Sequence, residues 1–237
     1  MDTLSVCGTK TGNMLLLGAT IGWSRHPQFY DGKGYRMLPR PVVKSRLNRT
    51  GYWLMKSIWF KDLSIHLENF VSKFVKEKVG QHDKKFVSIR KDIDTCKRIV
   101  PSDLRICETM FTSVSIIFRR NQNINYVHAH MDKNDVISCT LYLGSNITGG
   151  SLVFSDGCTE RDRGDYVHCK EFEHGKMITG EFSKILHGAM NWTGDRIVMV
   201  FYTSRKILKH FETYGNYYYS RYHALGHPEK YISNQWK

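Results

Sequence analysis

The stretch His128-Ala-His-Met-Asp-Lys-Asn-Asp-Val-Ile-Ser-Cys-Thr-Leu-Tyr-Leu143 sets the fold class. A histidine-bearing segment passes through the turn signal Asp132-Lys-Asn-Asp135 into Val136 to Leu143, a β-branched and aromatic run that reads as a strand. Further runs of that kind lie on either side: Phe111 to Phe118 before it, then Ser151 to Phe154, Tyr166 to Cys169 and Ile197 to Thr203 after it. Gly149-Gly150 and Thr193-Gly194-Asp195 punctuate them as turns. Upstream, Leu63, Leu67, Phe70, Val71, Phe74 and Val75 recur at three- and four-residue steps, with Gly80 as a stop, which predicts an amphipathic helix. A helix-rich first half and a strand-rich second half predict an α+β, mostly β, domain in which N-terminal helices buttress an antiparallel sandwich or jelly roll. The 237 residues read as a single domain, 1–237, made of a basic and helical N-terminal part (1–110), the β core (111–205) and a C-terminal extension (206–237).

Charge narrows the partners. Lys plus Arg number 35 against 22 Asp plus Glu, a formal +13, which favours a polyanion such as nucleic acid without identifying it. Gly32 to Lys61 alone carries eight basic residues and no acidic one, with Tyr35, Tyr52, Trp53, Trp59 and Phe60 interleaved, and so supplies +8 of that total. Basic groups neutralise phosphates and aromatic faces stack on bases. The strip reads equally well as a solvated region whose aromatics join the core, and both readings stay open. The six cysteines are widely spread without a C-x-x-C pair, so they are expected to be reduced thiols rather than a zinc site or a disulfide scaffold. The apolar stretch Met14 to Trp23 is too short to span a bilayer and is interrupted by Gly18 and Gly22. An intracellular, monomeric protein without a membrane span is expected, nuclear if its source is eukaryotic.

The chemistry is concentrated in His130-Met-Asp132, with His187 following 55 residues after Asp132 and Arg196 nine residues after that. Two histidines and a carboxylate occupy one face of an octahedral ferrous ion and leave three positions for a bidentate co-substrate and O2. Alternate residues of an extended segment point the same way, so His130 and Asp132 reach one metal from one short stretch. His128 shares a strand face with His130, but only His130 stands in the H-x-D position, so His130 is preferred as the ligand and His128 is read as supporting or structural. Arg196 opens the apolar run Ile197-Val-Met-Val-Phe-Tyr202, where an inward guanidinium calls for an anion.

This set resembles that of the Fe(II)- and 2-oxoglutarate-dependent dioxygenases, whose pattern is H-x-D, a later His, and Arg or Lys about ten residues on. The resemblance covers about Phe111 to Arg205 and implies a double-stranded β-helix core. It further implies Fe(II) held by His130, Asp132 and His187, with O2 and 2-oxoglutarate as co-substrates. Arg196 would pair with the distal carboxylate of 2-oxoglutarate, and Tyr142 is a lesser candidate for the same group.

Within that superfamily, His128-Ala-His130-Met-Asp132, Cys139-Thr-Leu141 and Arg196-Ile-Val-Met-Val-Phe-Tyr202 resemble the H-x-H-x-D, C-T-L and R-I-x-x-V-F-Y elements of the TET/JBP group, which oxidises the 5-methyl group of pyrimidines in DNA. Asp135 falls where that group carries a residue facing the target base, and a carboxylate there accepts from cytosine N4, which points to 5-methylcytosine. The alternative is that Asp135 caps the turn after the H-x-D segment. Ser204 takes the place of that group's base-contacting His, and no zinc-binding cysteine-rich segment precedes the core. Trp23, Phe29, Tyr30 and Tyr35 are candidates for stacking on a base. Prolyl-hydroxylase-like enzymes of protein or small-molecule substrates share the triad, usually with Lys in place of Arg196, and are the alternative.

Overall fold

The run Val136 to Leu143 does form a strand, and a longer one than its composition predicts, Asp135 to Gly149. In a computed structural model, residues 13–20, 40–41, 54, 57–119, 125–155 and 168–214 are described. The chain divides into two compact units, one of residues 1–16 and 114–202 and one of residues 17–113 and 203–237.

The first unit is antiparallel β. It holds β3 (Ser113–Arg119, whose first residue falls in the second unit), β4 (Asn125–His130), β5 (Asp135–Gly149), β6 (Leu152–Ser155), β7 (His168–Lys170), β8 (Met177–Gly180) and most of β9 (Leu186–Ser204). The strand order β3-β9-β5-β8 forms one path, and β4, β6 and β7 attach through β9 and β6. β9 is the hub. It pairs with β4 through His130↔His187 and Val127↔Ala189, and with β6 through Phe154↔His187 and Leu152↔Ala189. The expected break at Thr193-Gly194-Asp195 therefore does not end a strand: β9 runs through it. The turn signal marks a local irregularity instead. Gly194 takes φ +90°, and a Cβ there would collide with the carbonyl oxygen of Asn146 on β5, itself at φ 53°. Val136, Ile137, Cys139, Leu141, Leu152, Trp192, Met199 and Phe201 are buried, each large side chain contributing about 1.5 to 3 kcal/mol.

The second unit carries the helices. α1 (Ile58–Gly80) buries Phe60, Ser64, Leu67, Val71 and Val75; of the stripe expected from sequence Leu67, Val71 and Val75 are buried, whereas Leu63, Phe70 and Phe74 are half-buried on its flank. α2 (Lys84–Ile99) buries Phe86, Ile89, Ile93 and Cys96 and starts at Asp83, whose carboxylate accepts the Lys85 backbone N–H at 3.0 Å. Glu68 of α1 pairs with Lys97 of α2 at 2.6 Å and also accepts the Met110 N–H at 3.1 Å, which locks the two helices to the segment that follows them. α3 (Arg205–Tyr214) buries Ile207, Leu208 and Phe211, and its Arg205 lies 3.6 Å from Asp92 of α2. In the same unit the end of β1 (Asn13–Thr20, whose first four residues fall in the first unit) pairs with β2 (Arg40–Pro41) through Ala19↔Pro41 and Thr20↔Arg40. Among the described residues, no helix is long and apolar enough to cross a membrane.

Candidate metal centre and the buried arginine beside it

His130 ends β4 and His187 lies near the start of β9, directly opposite in register, so their rings face each other with centroids 4.4 Å apart. That approach depends on Gly188. A Cβ there would stand 2.7 Å from the Val127 carbonyl and 3.2 to 3.3 Å from the Ala129 backbone, so any side chain would push β4 away from β9. Asp132 follows in the turn after β4, where its N–H donates to the Phe182 carbonyl at 2.9 Å and its carbonyl accepts from the Asp135 N–H at 3.0 Å. Its carboxylate is thereby brought to both histidines. Nε2 of His187 lies 3.4 Å from Oδ2, and Nε2 of His130 lies 3.8 Å from Oδ1. Donor atoms of all three residues fall within 4.8 Å of one another, and no other such group of three occurs among the described residues.

The ring orientation settles which nitrogen is available. Nδ1 of His130 lies 2.7 Å from the His128 carbonyl oxygen, and Nδ1 of His187 lies 2.9 Å from that of Ile185. A carbonyl only accepts, so each Nδ1 serves as the donor to it and each Nε2 is the ring nitrogen turned toward Asp132. Backbone carbonyls that hold ligating histidines in this way are the usual support of a metal centre. Two imidazoles and one carboxylate on adjoining positions fit a divalent ion such as iron with several sites left open. His128 contributes its backbone carbonyl to this arrangement, and its side chain is exposed.

Arg196 of β9 is 3% exposed. Its guanidinium carbon sits 4.4 Å from the ring centre of Trp192 and 5.3 Å from those of both Tyr142 and Phe172. Tyr142 and Trp192 belong to the buried cluster that also includes Leu152 and Ala189, with Phe172 packed against it. Burial pushes the Tyr142 phenol up to about 12, although Arg196 and a Thr140 hydrogen bond both pull it down. It stays protonated at any physiological pH and is available as a donor. In a low-dielectric position of this kind, a carboxylate that reaches Arg196 gains a charge-assisted, two-point hydrogen bond stronger than one at the surface. The residues fit a carboxylate at Arg196 as well as a metal at the triad.

The remaining sequence candidates lie as follows. Asp135 is buried at the first residue of β5, 6% exposed, and tied by its backbone to Asp132. Ser204 belongs to the second unit, where its N–H donates to Thr112 Oγ1 at 2.8 Å. Trp23, Phe29, Tyr30 and Tyr35 lie outside the described residues, as does most of the basic strip. Of its aromatics within them, Phe60 is fully buried and belongs to the core, whereas Trp59 is 56% exposed. Cys139 and Cys96 are buried free thiols pushed up to about 12 by that burial, so neither is poised as a nucleophile.

Several contributors to the site are absent from the sequence reading. Phe172 sits in the loop after β7, and Trp192 precedes Arg196 by four residues on β9 and meets its guanidinium across the irregularity at Gly194. Phe182 packs against the His187 ring, with centroids 4.8 Å apart and the planes tilted by 40°, and lies nearly parallel to Phe154 at 6.1 Å. Gly188 completes the set.

No protein-family model matches the sequence, and no curated protein matches it. Solved structures give partial likenesses. A 2OG-Fe(II) oxygenase family oxidoreductase from Burkholderia pseudomallei matches 40% of this chain and 44% of its own at 17% identity and a TM-score of 0.32. NgTET1, solved in complex with 5mC DNA, matches 80% of this chain and 59% of its own at 16% identity and a TM-score of 0.49. A prolyl-4-hydroxylase from Pseudomonas putida matches 49% and 78% at 16% identity and a TM-score of 0.32. The chain thus spans about half the length of the first two. Likenesses of this size identify neither family nor substrate.

Proposed function

We propose that the protein is an Fe(II)- and 2-oxoglutarate-dependent dioxygenase with a double-stranded β-helix core, which oxidises the 5-methyl group of a pyrimidine in nucleic acid, 5-methylcytosine in DNA first. One observation carries the metal reading: both histidines spend Nδ1 on a backbone carbonyl and converge their Nε2 atoms on Asp132. When bound, iron with 2-oxoglutarate and O2 supplies an oxidant for an unactivated C–H bond, the oxoacid leaving as succinate and CO2. His130, Asp132 and His187 hold the ion and leave co-substrate positions open. Arg196 would bind the far carboxylate of the oxoacid, with Tyr142 the lesser candidate for the same group. The apolar cluster around Arg196 keeps bulk water from that end.

The substrate reading rests on the resemblance of the H-x-H-x-D, C-T-L and R-I-x-x-V-F-Y elements and on the basic charge. A base methyl in a duplex is reached only by extruding the nucleotide, at a cost of a few kcal/mol that pocket contacts must offset. Asp135, bonded through its backbone to the ligand Asp132, is assigned to accept the cytosine N4–H.

The test is to load the protein with Fe(II) without oxygen, add 2-oxoglutarate and air with methylated DNA, RNA and peptides, and follow succinate and product mass. Oxidation of 5-methylcytosine is expected. Asp135→Ala should suppress it far more than uncoupled succinate formation, and Asp135→Asn should retain part, because an amide oxygen still accepts. Hydroxylation of a peptide with every base untouched would replace this reading with a prolyl-hydroxylase-like one.

A further inference from the structure

The guanidinium of Arg196 is not held by β9 alone. Trp192 and Tyr142 come from the strands β9 and β5, but Phe172 is delivered by the loop of residues 171–176 between β7 and β8. That loop is strapped to β5 at the residue whose ring it covers. The Gly175 N–H donates to the Tyr142 carbonyl at 2.7 Å, and the Tyr142 N–H donates to the Lys176 carbonyl at 2.9 Å. Nδ1 of His174 adds a contact to the Gly144 backbone at 2.9 to 3.2 Å, and Lys176 bonds Glu173 at 2.7 Å. Phe172 then stands edge-on to Tyr142, with ring centres 6.0 Å apart at 83°. A cation is stabilised over an aromatic face, and rings beside a guanidinium limit the directions in which its N–H edge can turn. A long arginine side chain otherwise loses considerable rotamer freedom when it binds an anion. The cage removes that freedom beforehand.

We infer that Phe172 is a positioning residue that, with Trp192 and Tyr142, fixes the Arg196 guanidinium for the distal carboxylate of a five-carbon 2-oxo-dicarboxylate, so that the β7–β8 loop sets co-substrate selectivity. This rests on the proposed co-substrate site. It makes the selectivity a property of a loop that contributes none of the three candidate metal ligands.

The test measures binding rather than turnover. Mn(II)-loaded protein is titrated anaerobically by calorimetry with 2-oxoglutarate and with 2-oxopentanoate, which lacks the distal carboxylate, and metal affinity and melting temperature are recorded alongside. Phe172→Leu, which keeps the apolar volume, and Phe172→Ala should weaken 2-oxoglutarate about tenfold, as expected for a lost desolvated cation–π contact. Phe172→Tyr should restore it. Binding of 2-oxopentanoate and of Mn(II) should stay within about twofold in every variant, since neither engages Arg196. Unchanged 2-oxoglutarate affinity in Phe172→Leu would overturn the inference, and so would a parallel loss for both oxoacids. A wild-type protein that binds Mn(II) but does not prefer the dicarboxylate would overturn the co-substrate reading itself.

Discussion

The metal end and the arginine end of the candidate site are built by opposite means. At the metal end the His130 and Asp132 side chains are 47% and 33% exposed, and their placement comes from backbone: strand register, two carbonyls on the imidazoles and the Phe182 carbonyl on Asp132. At the other end Arg196 is buried, and what surrounds it is side chain: Trp192, Tyr142 and Phe172. Tyr142 connects the two, since the Asp132 charge also bears on its phenol. An open centre on a backbone frame admits substrate and tolerates changes in neighbouring side chains. A closed one made of rings excludes water, and its geometry is only as good as each ring.

That difference has measurable consequences, the largest at the ligands. Asp132→Ala or His187→Ala should weaken Mn(II) binding by more than about 100-fold, beyond what supporting groups are worth, as read by anaerobic calorimetry. His128→Ala should bind metal within a few-fold of the wild type, because its backbone carbonyl holds the His130 ring and survives the substitution. Strong metal loss in His128→Ala with little in His130→Ala would exchange the roles of the two histidines.

Next comes the cation. Arg196→Ala should leave Mn(II) affinity intact and cost 2-oxoglutarate about 2 to 5 kcal/mol, the range for truncating one partner of a buried charge pair. Arg196→Lys should be intermediate, since a point charge replaces a two-pronged donor. A smaller effect belongs to the frame itself. Gly188→Ala removes no ligand, yet its Cβ meets the Val127 carbonyl and the Ala129 backbone, which cannot rotate aside. A loss of about 1 to 3 kcal/mol in thermal stability is expected, together with weaker metal binding. A melting temperature and Mn(II) affinity equal to wild type would show that β4 yields freely there.

The contrast also governs how much of the site its sequence discloses. H-x-D is local: three consecutive positions bring two ligands together, and the strand-rich pattern around them predicts the antiparallel sheet. His187 and Arg196 are legible because their spacing matches a known arrangement. The cage is not, because residues 142, 172 and 192 meet only through the hub strand β9 and a six-residue loop held to β5 by two backbone hydrogen bonds and one contact from the His174 ring, a pattern that periodicity does not reveal. α2 escaped for a different reason. Its apolar positions Phe86, Ile89, Ile93 and Cys96 are diluted by charged residues, so the stripe is narrow. At Gly194 a turn residue serves a close approach to Asn146 inside a continuous strand, and composition does not distinguish the two uses.

The smallest effect, and the one most particular to the arginine end, is on the alkaline side of the stability curve. Burial holds the folded Tyr142 phenol at about 12 against an ordinary value of 10. Between those values the unfolded chain has released that proton and the folded chain has not, so the unfolded state binds fewer protons and stability falls as pH rises. The contribution is fully present below pH 10 and amounts to roughly 1 kcal/mol lost by pH 11. Cys139 and Cys96, also pushed up to about 12, act in the same direction in every variant. Tyr142→Phe therefore isolates the phenol. It should lower stability at neutral pH by about 0.5 to 1.5 kcal/mol through loss of the Thr140 hydrogen bond, and make the decline from pH 10 to 12 shallower. Urea unfolding at a series of pH values reads both. If the two curves run parallel through that window, the phenol titrates as freely in the folded protein as in the unfolded chain, and the arginine end is wet rather than closed.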